Sequence, residues 1–232
     1  MGMPLADLAG GSLHSIVGIL AAVNQRTQTG LGQHVDISMT DAIFGMSSMF
    51  GSHFLAGNQE PKPGTTTLNG GIFYDYYLTA DGRNLSIGSL EPQFFNQLCV
   101  TLGLESFVDL GSKPDAESQQ KFKQLLEATI VTKSLAEWVD IFKDKDACVE
   151  PVLTLAEACE SEQIKQRDLI VTVDTYDGAV QNQIGTAIKL SDSPSKYGLC
   201  GAPLGHHNQS VMEELGMSEH EMDAATKSGM FG

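Results

Sequence analysis

The sequence predicts a mixed helix-and-sheet protein in which helices belonging to a larger layered domain precede a compact α+β unit. Three observations predict it: two long helical patterns before residue 57, a hairpin–helix–strand succession around residues 70 to 165, and a return of strands and then helices after residue 169.

Each element has a local reason. From Ser12 to Gln28 the residues Leu13, Ile16, Val17, Ile19, Leu20 and Val23 recur at helical spacing and Gly30 supplies a stop, so a buried helix is expected. Val35–Ile37 reads as a short extended piece. A Met-rich helix from Ser38 to about Ala56 follows, its glycines expected to pack closely against another helix. GNQEPKPGTTTLNGG, residues 57 to 71, lacks apolar periodicity and reads as a linker or functional loop. IFYDYYLTADGRNLSIGSLE alternates on both sides of Asp81-Gly82, a hairpin signal. Helices are expected at PQFFNQLCVTLGL, at Ala116–Ile130 and at SLAEWVDIFK, where Ser134 and Glu137 form a capping box. ACVEPVL is a short strand interrupted by Pro151, and Thr154 with Glu157 caps the next helix. Leu169–Leu190 gives another strand pair, and two short helices close the pattern, the second opened by Ser218 and Glu221.

Composition excludes several function classes. Lys+Arg 14 against Asp+Glu 29 gives a net charge of −15, which offers no cationic surface to a nucleic acid backbone and few cations to a phosphorylated cofactor. Cys99, Cys148, Cys159 and Cys200 show no metal-ligand spacing and read as buried free thiols. No apolar run is read as approaching the roughly 18 residues of a membrane span, so no membrane is expected and cytoplasmic residence is the default; the terminal SGMFG is not a peroxisomal signal.

Candidate chemistry sits at few positions. In PLADLAGGSLHSIVGILAAV, Asp7 precedes a glycine pair and a long helix, which suits either a helix cap or a catalytic carboxylate at a helix N-terminus. Asp41 reads as a polar packing contact. Glu91 leads a helix directly after a strand, as a site group or a first-turn charge. Tyr74, Tyr76 and Tyr77 beside Asn69-Gly70-Gly71 suit cross-strand aromatic pairing or a flap close to a ligand. His206-His207 lacks further metal ligands and reads as a surface loop, so no metal is expected.

DLAGGSLHSIVGILAAVNQRTQTGLGQHVDISMTDAIF resembles the central segment of the family III CoA-transferases (CaiB/BaiF), the group that includes the α-methylacyl-CoA racemases. GGIFYDYYLTADGRNLSIGSLEPQFF, DACVEPVL and APLGHHNQSVMEELGMSEHEM extend the resemblance and lean toward the racemase branch. The resemblance implies an α/β fold with residues 1–58 as the helical part of a large Rossmann-like domain, 59–168 as linker and small α+β domain, and 169–232 as the return to the large domain. It further implies that Asp7 is the catalytic aspartate, Glu91 a glutamate supplied by the small domain, Tyr74 a tyrosine near the site, and Gly70 and Gly71 the glycine loop beside the catalytic centre.

Coenzyme A enters as part of the substrate rather than as a separate cofactor. The implied partners are an acyl-CoA and, for assembly, an interlocked homodimer or a complementary N-terminal polypeptide. Only MGMP precedes LAD, whereas family members carry a Rossmann-like half with most CoA contacts and the racemase histidine ahead of the aspartate; neither His14 nor His53 matches that histidine. The expectations are therefore racemisation of 2-methylacyl-CoA through an enolate, CoA transfer through an aspartyl-CoA thioester, or a non-catalytic or split-enzyme subunit.

Overall fold

A computed structural model describes residues 2–68 and 70–230; Asn69 of the glycine loop and Phe231 and Gly232 of the terminal stretch lie outside the described residues. The chain gathers into two units, residues 1–152 and 153–232. In the first, a π-helical segment (Ala6–Leu13) runs into α1 (His14–Thr29), followed by α2 (Met39–Met46) and α3 (Ser48–Gly57). Then come β1 (Asp75–Leu78), β2 (Asn84–Ile87), α4 (Pro92–Leu102), α5 (Val108–Gly111), α6 (Ala116–Ile130), α7 (Leu135–Phe142) and β3 (Val149–Pro151). The second unit contains α8 (Leu155–Glu160), α9 (Glu162–Gln166), the antiparallel ribbon of β4 (Ile170–Asp174) and β5 (Val180–Ile184), α10 (Asn208–Glu214) and α11 (Glu219–Lys227).

The three-stranded antiparallel sheet has the order β1-β2-β3. Its hairpin closes as the sequence predicts: Gly82 takes φ +71°, and the Thr79 N–H donates to the Arg83 carbonyl at 2.9 Å. The Asp81 carboxylate accepts the Leu135 N–H at 3.1 Å, which ties the turn to the start of α7. Pro151 is tolerated because β3 is an edge strand. All three capping boxes form, at Ser134–Glu137, Thr154–Glu157 and Ser218–Glu221.

Apolar residues of α4, α6 and α7 pack with Tyr77, Leu85 and Ile87 of the sheet into one core. Phe73, Phe95 and Phe122 meet there with ring centroids 4.9 to 5.5 Å apart. Polar groups inside are satisfied: the Tyr77 hydroxyl donates to the Phe73 carbonyl at 2.6 Å, and Trp138 Nε1 donates to the Ile130 carbonyl at 2.8 Å.

The N-terminal helices depart from expectation. α1 holds no buried residue among those described; Val17 is 66% exposed and Leu20 62%. Periodicity locates an apolar face but does not say whether anything covers it. Ala6–Thr29 is a single 24-residue helical run with a mean hydropathy of 1.5 over its most apolar 18-residue stretch, enough by length and composition to cross a membrane. The expectation that no apolar run reaches that length is thereby corrected: π winding carries the helix through Gly10-Gly11 without a break.

The Met-rich helix divides at Ser47 into α2 and α3. Close helix contact uses other glycines than those within it. A Cβ on Gly10 would lie 3.2 Å from Ile43 Cγ1 and one on Gly11 3.3 Å from Met39 Cγ, whereas Gly45 faces open space. Val35–Ile37 pairs with no strand and packs on α1 instead, where a Cβ on Gly18 would meet Val35 Cγ1 at 3.0 Å. Of the four free cysteines only Cys99 is buried, and burial pushes its thiol up to about 11, with Glu105 adding to the effect; Cys148 is exposed.

Candidate active site

The end of β2 gathers several side chains at one place. Beyond Ile87, the Gly88 N–H donates to the Cys148 carbonyl at 2.8 Å, and the buried Ser89 hydroxyl donates to the Ala147 carbonyl at 2.5 Å. These bonds turn the chain into α4. Glu91 becomes its N-cap, with φ −72° and ψ 143°, and Pro92 follows in the first turn, where a missing N–H costs nothing. The Glu91 side chain makes no capping bond and stays exposed.

Tyr74 lies just ahead of β1 rather than on the hairpin strand, and is half-buried. Its ring packs over Gly88: a Cβ there would sit 3.4 Å from Tyr74 Cε2 and 3.4 Å from the Cys148 carbonyl oxygen. Cys148 holds a left-handed conformation at φ +49°. Its thiol is pushed above the usual range by desolvation and by the carboxylates of Glu91, Asp146 and Glu150. Tyr74 thus packs on Gly88 of this backbone pair, and Glu91 bears on the Cys148 thiol through its charge.

The glycine loop is held from α6. Gly70 has φ +86°, and its carbonyl accepts from Lys123 Nζ at 3.1 Å. The same ammonium pairs with the Asp75 carboxylate at 2.6 Å. Burial alone would raise the Asp75 pKa, but the Lys123 hydrogen bond, the Tyr76 N–H and the Lys123 charge outweigh it and hold the carboxyl below its usual value. Gly71 donates its N–H to the Thr66 carbonyl at 3.0 Å. A Cβ on Gly71 would fall 2.5 Å from Thr65 backbone atoms, so no larger residue fits without moving the loop. Gly70 lines clefts of about 410 Å³ and about 370 Å³, the second shared with Tyr74 and Asp75.

Asp7 lies in the first turn of the π-helical segment. It does not cap: the N-cap position falls on Leu5, without a side-chain bond, and the exposed Asp7 carboxylate has no hydrogen-bond partner among the described residues. The segment packs on α1 and α2, and among the described residues none of its hydrogen bonds reaches β1, β2 or α4. Asp41 is exposed in the first turn of α2 rather than packed. His206 and His207 occupy a loop beside Tyr176, whose hydroxyl is 3.3 Å from His207 Nε2. No group of three or more His, Cys, Asp or Glu side chains suited to a metal occurs among the described residues.

Sequence reasoning missed Lys123, Gly88 and Cys148. Lys123 stands 48 positions from Asp75, and no local pattern announces a bond of that span.

Comparison with known proteins finds relatives of the chain. The family model described as CoA-transferase family III matches residues 1–208. The chain is 34% identical to human alpha-methylacyl-CoA racemase over 220 residues, which is 94% of this chain and 56% of that protein. It is 26% identical to a Bradyrhizobium formyl-CoA:oxalate CoA-transferase over 262 residues, covering 98% of this chain and 61% of the relative. The crystal structure of a CAIB/BAIF family protein from Brucella suis superposes with a TM-score of 0.69 at 22% identity, over 93% of this chain and 56% of that one, and shows the shared α/β fold. The chain thus spans a little over half the length of the relatives it matches.

Proposed function

The chain belongs to CoA-transferase family III, and from that premise we propose that it takes part in exchanging the α-proton of 2-methylacyl-CoA thioesters through an enolate. The observation that carries this reading is its 34% identity to the human racemase across 94% of its length. A thioester acidifies the adjacent carbon, and inversion needs one group to remove that proton while another delivers one to the opposite face. Asp7, exposed and unpartnered beside a helix N-terminus, is the proton-transfer group on this chain. The first helical turn presents N–H groups suited to an enolate oxygen. Glu91 and Tyr74 complete the acyl-CoA side from the small domain, either across an interlocked homodimer or with a complementary polypeptide. The loop of Gly70 and Gly71 forms the adjoining wall.

The experiment is exchange of the α-proton of a 2-methylacyl-CoA in heavy water, with this chain and its Asp7→Asn variant. Loss of exchange by a factor of about 100 or more in the variant supports the reading, since a positioned acid–base group contributes at least that much. Exchange that persists unchanged overturns the role of Asp7.

A second reading, CoA transfer between carboxylic acids, is favoured by the similarity to formyl-CoA:oxalate CoA-transferase. There the Asp7 carboxylate attacks the thioester carbonyl to give a mixed anhydride and free CoA thiolate, and the thiolate then attacks the Asp7 carbonyl of that anhydride, releasing the donor carboxylate and leaving an aspartyl-CoA thioester. Hydroxylamine trapping at Asp7 on adding acyl-CoA supports transfer, whereas solvent deuterium entering the α-carbon without any acceptor acid supports exchange. Turnover that appears only on adding a second polypeptide instead identifies the chain as one subunit of a split enzyme.

A further inference from the structure

We propose that Lys123 is a positioning residue of this site, a latch on α6 that fixes the glycine loop between two clefts; the proposal rests on the assignment of that loop to the acyl-CoA site. Gly70 faces space on both sides, since it lines the cleft toward Gln120 and Glu127 and the cleft toward Tyr74 and Ser86. A backbone wall between two clefts keeps one position only if something fastens it. The fastening comes from one face of α6. Gln119 Oε1 accepts the Phe73 N–H at 3.0 Å, and one turn later Lys123 donates to the Gly70 carbonyl and to Asp75. Gln119 is itself held by its amide nitrogen, which donates to the Gly111 and Lys113 carbonyls at 2.7 Å each.

An ammonium suits the task because it offers three donors and can grip a carbonyl and a carboxylate together. Its partial burial distinguishes it from the neighbouring surface pairs: the Lys123 side chain is 21% exposed, against 60% for Lys121 in its pair with Glu117. The segment from Gly70 to Asp75 is therefore held at its start, middle and end, and Tyr74 lies inside it.

The test is amide hydrogen exchange of the full chain. In Lys123→Met the Gly71 amide, bonded to Thr66, exchanges roughly tenfold faster, the effect of losing a charge-assisted hydrogen bond, while amides of α6 and β2 keep their rates and Lys123→Arg stays within about twofold of the parent. An unchanged Gly71 rate, or acceleration shared by α6 and β2, overturns the proposal. Should Lys123→Met not fold, acetylation of the parent chain decides: Lys123 reacts at least about threefold more slowly than Lys121, and equal reactivity overturns the latch. If the parent turns over 2-methylacyl-CoA, Lys123→Met lowers kcat and leaves KM within about twofold, because the loop orients rather than captures substrate. Absence of turnover in the parent counts against the functional reading alone, and the amide rates still decide the role of Lys123.

Discussion

Glu91 and Cys148, brought together where β2 ends beside β3, bear on one another electrostatically: desolvation lifts the Cys148 thiol pKa and the Glu91 carboxylate lifts it further. The thiol is exposed and free, so it reports on its neighbour. Removing the charge in Glu91→Gln is expected to raise the thiolate fraction and to speed alkylation by iodoacetamide at pH 8 roughly twofold. An unchanged rate would place the carboxylate away from the thiol.

Two glycine substitutions separate crowding from backbone strain. Gly71→Ala drives a methyl group into the Thr65 and Thr66 backbone, at 2.5 to 2.8 Å. It is expected to cost about 1–3 kcal/mol in urea unfolding and to shift the glycine loop. Gly82→Ala meets open space but must keep φ +71°. Its expected cost is about 1 kcal/mol with no change at the loop.

Tyr77→Phe removes a hydroxyl that donates to the Phe73 carbonyl within the core. Burial disfavours the Tyr77 phenolate strongly, with Asp75 and Glu127 adding to the effect. The hydroxyl is a permanent donor. Its loss leaves a buried carbonyl without that bond, and urea unfolding is expected to show a decrease of about 1–2 kcal/mol.

Asp75 makes stability depend on acid. Its folded pKa lies below the ordinary carboxylate value, because Lys123 and the Tyr76 N–H outweigh burial. A lowered folded pKa gives a contribution fully present above the unfolded value of about 4 and lost as pH falls through the folded one. Asp75→Asn is accordingly expected to lower the urea midpoint at pH 6 to 7 and to approach the parent progressively as pH falls below the ordinary carboxylate range. Parallel curves across that range would remove Asp75 from the acid limb.

Legibility in the sequence followed the range of the interaction. Asp81-Gly82, the Ser134–Glu137 box and the position of Glu91 ahead of Pro92 were readable, because each depends on bonds among residues a few positions apart. The division of the Met-rich helix at Ser47 left no composition signal. The apolar stripe of α1 was readable, and so was its lack of neighbouring strands of its own, but not how far it is covered, because a stripe looks the same covered or bare. Candidate site residues were nameable through resemblance, whereas the Tyr74–Gly88 contact and the Lys123–Gly70 bond needed the sheet and α6 in place.

The bare stripe of α1 also governs the chain as a colloid. With a formal charge of −15, separate chains repel one another, and at about 0.01 M salt that repulsion reaches across roughly 30 Å, farther than an apolar contact acts. At about 1 M salt the reach shrinks to roughly 3 Å, and stripes can then meet face to face. Raising the ionic strength is thus expected to shift this chain from dispersed toward clustered, and light scattering across a salt series checks it.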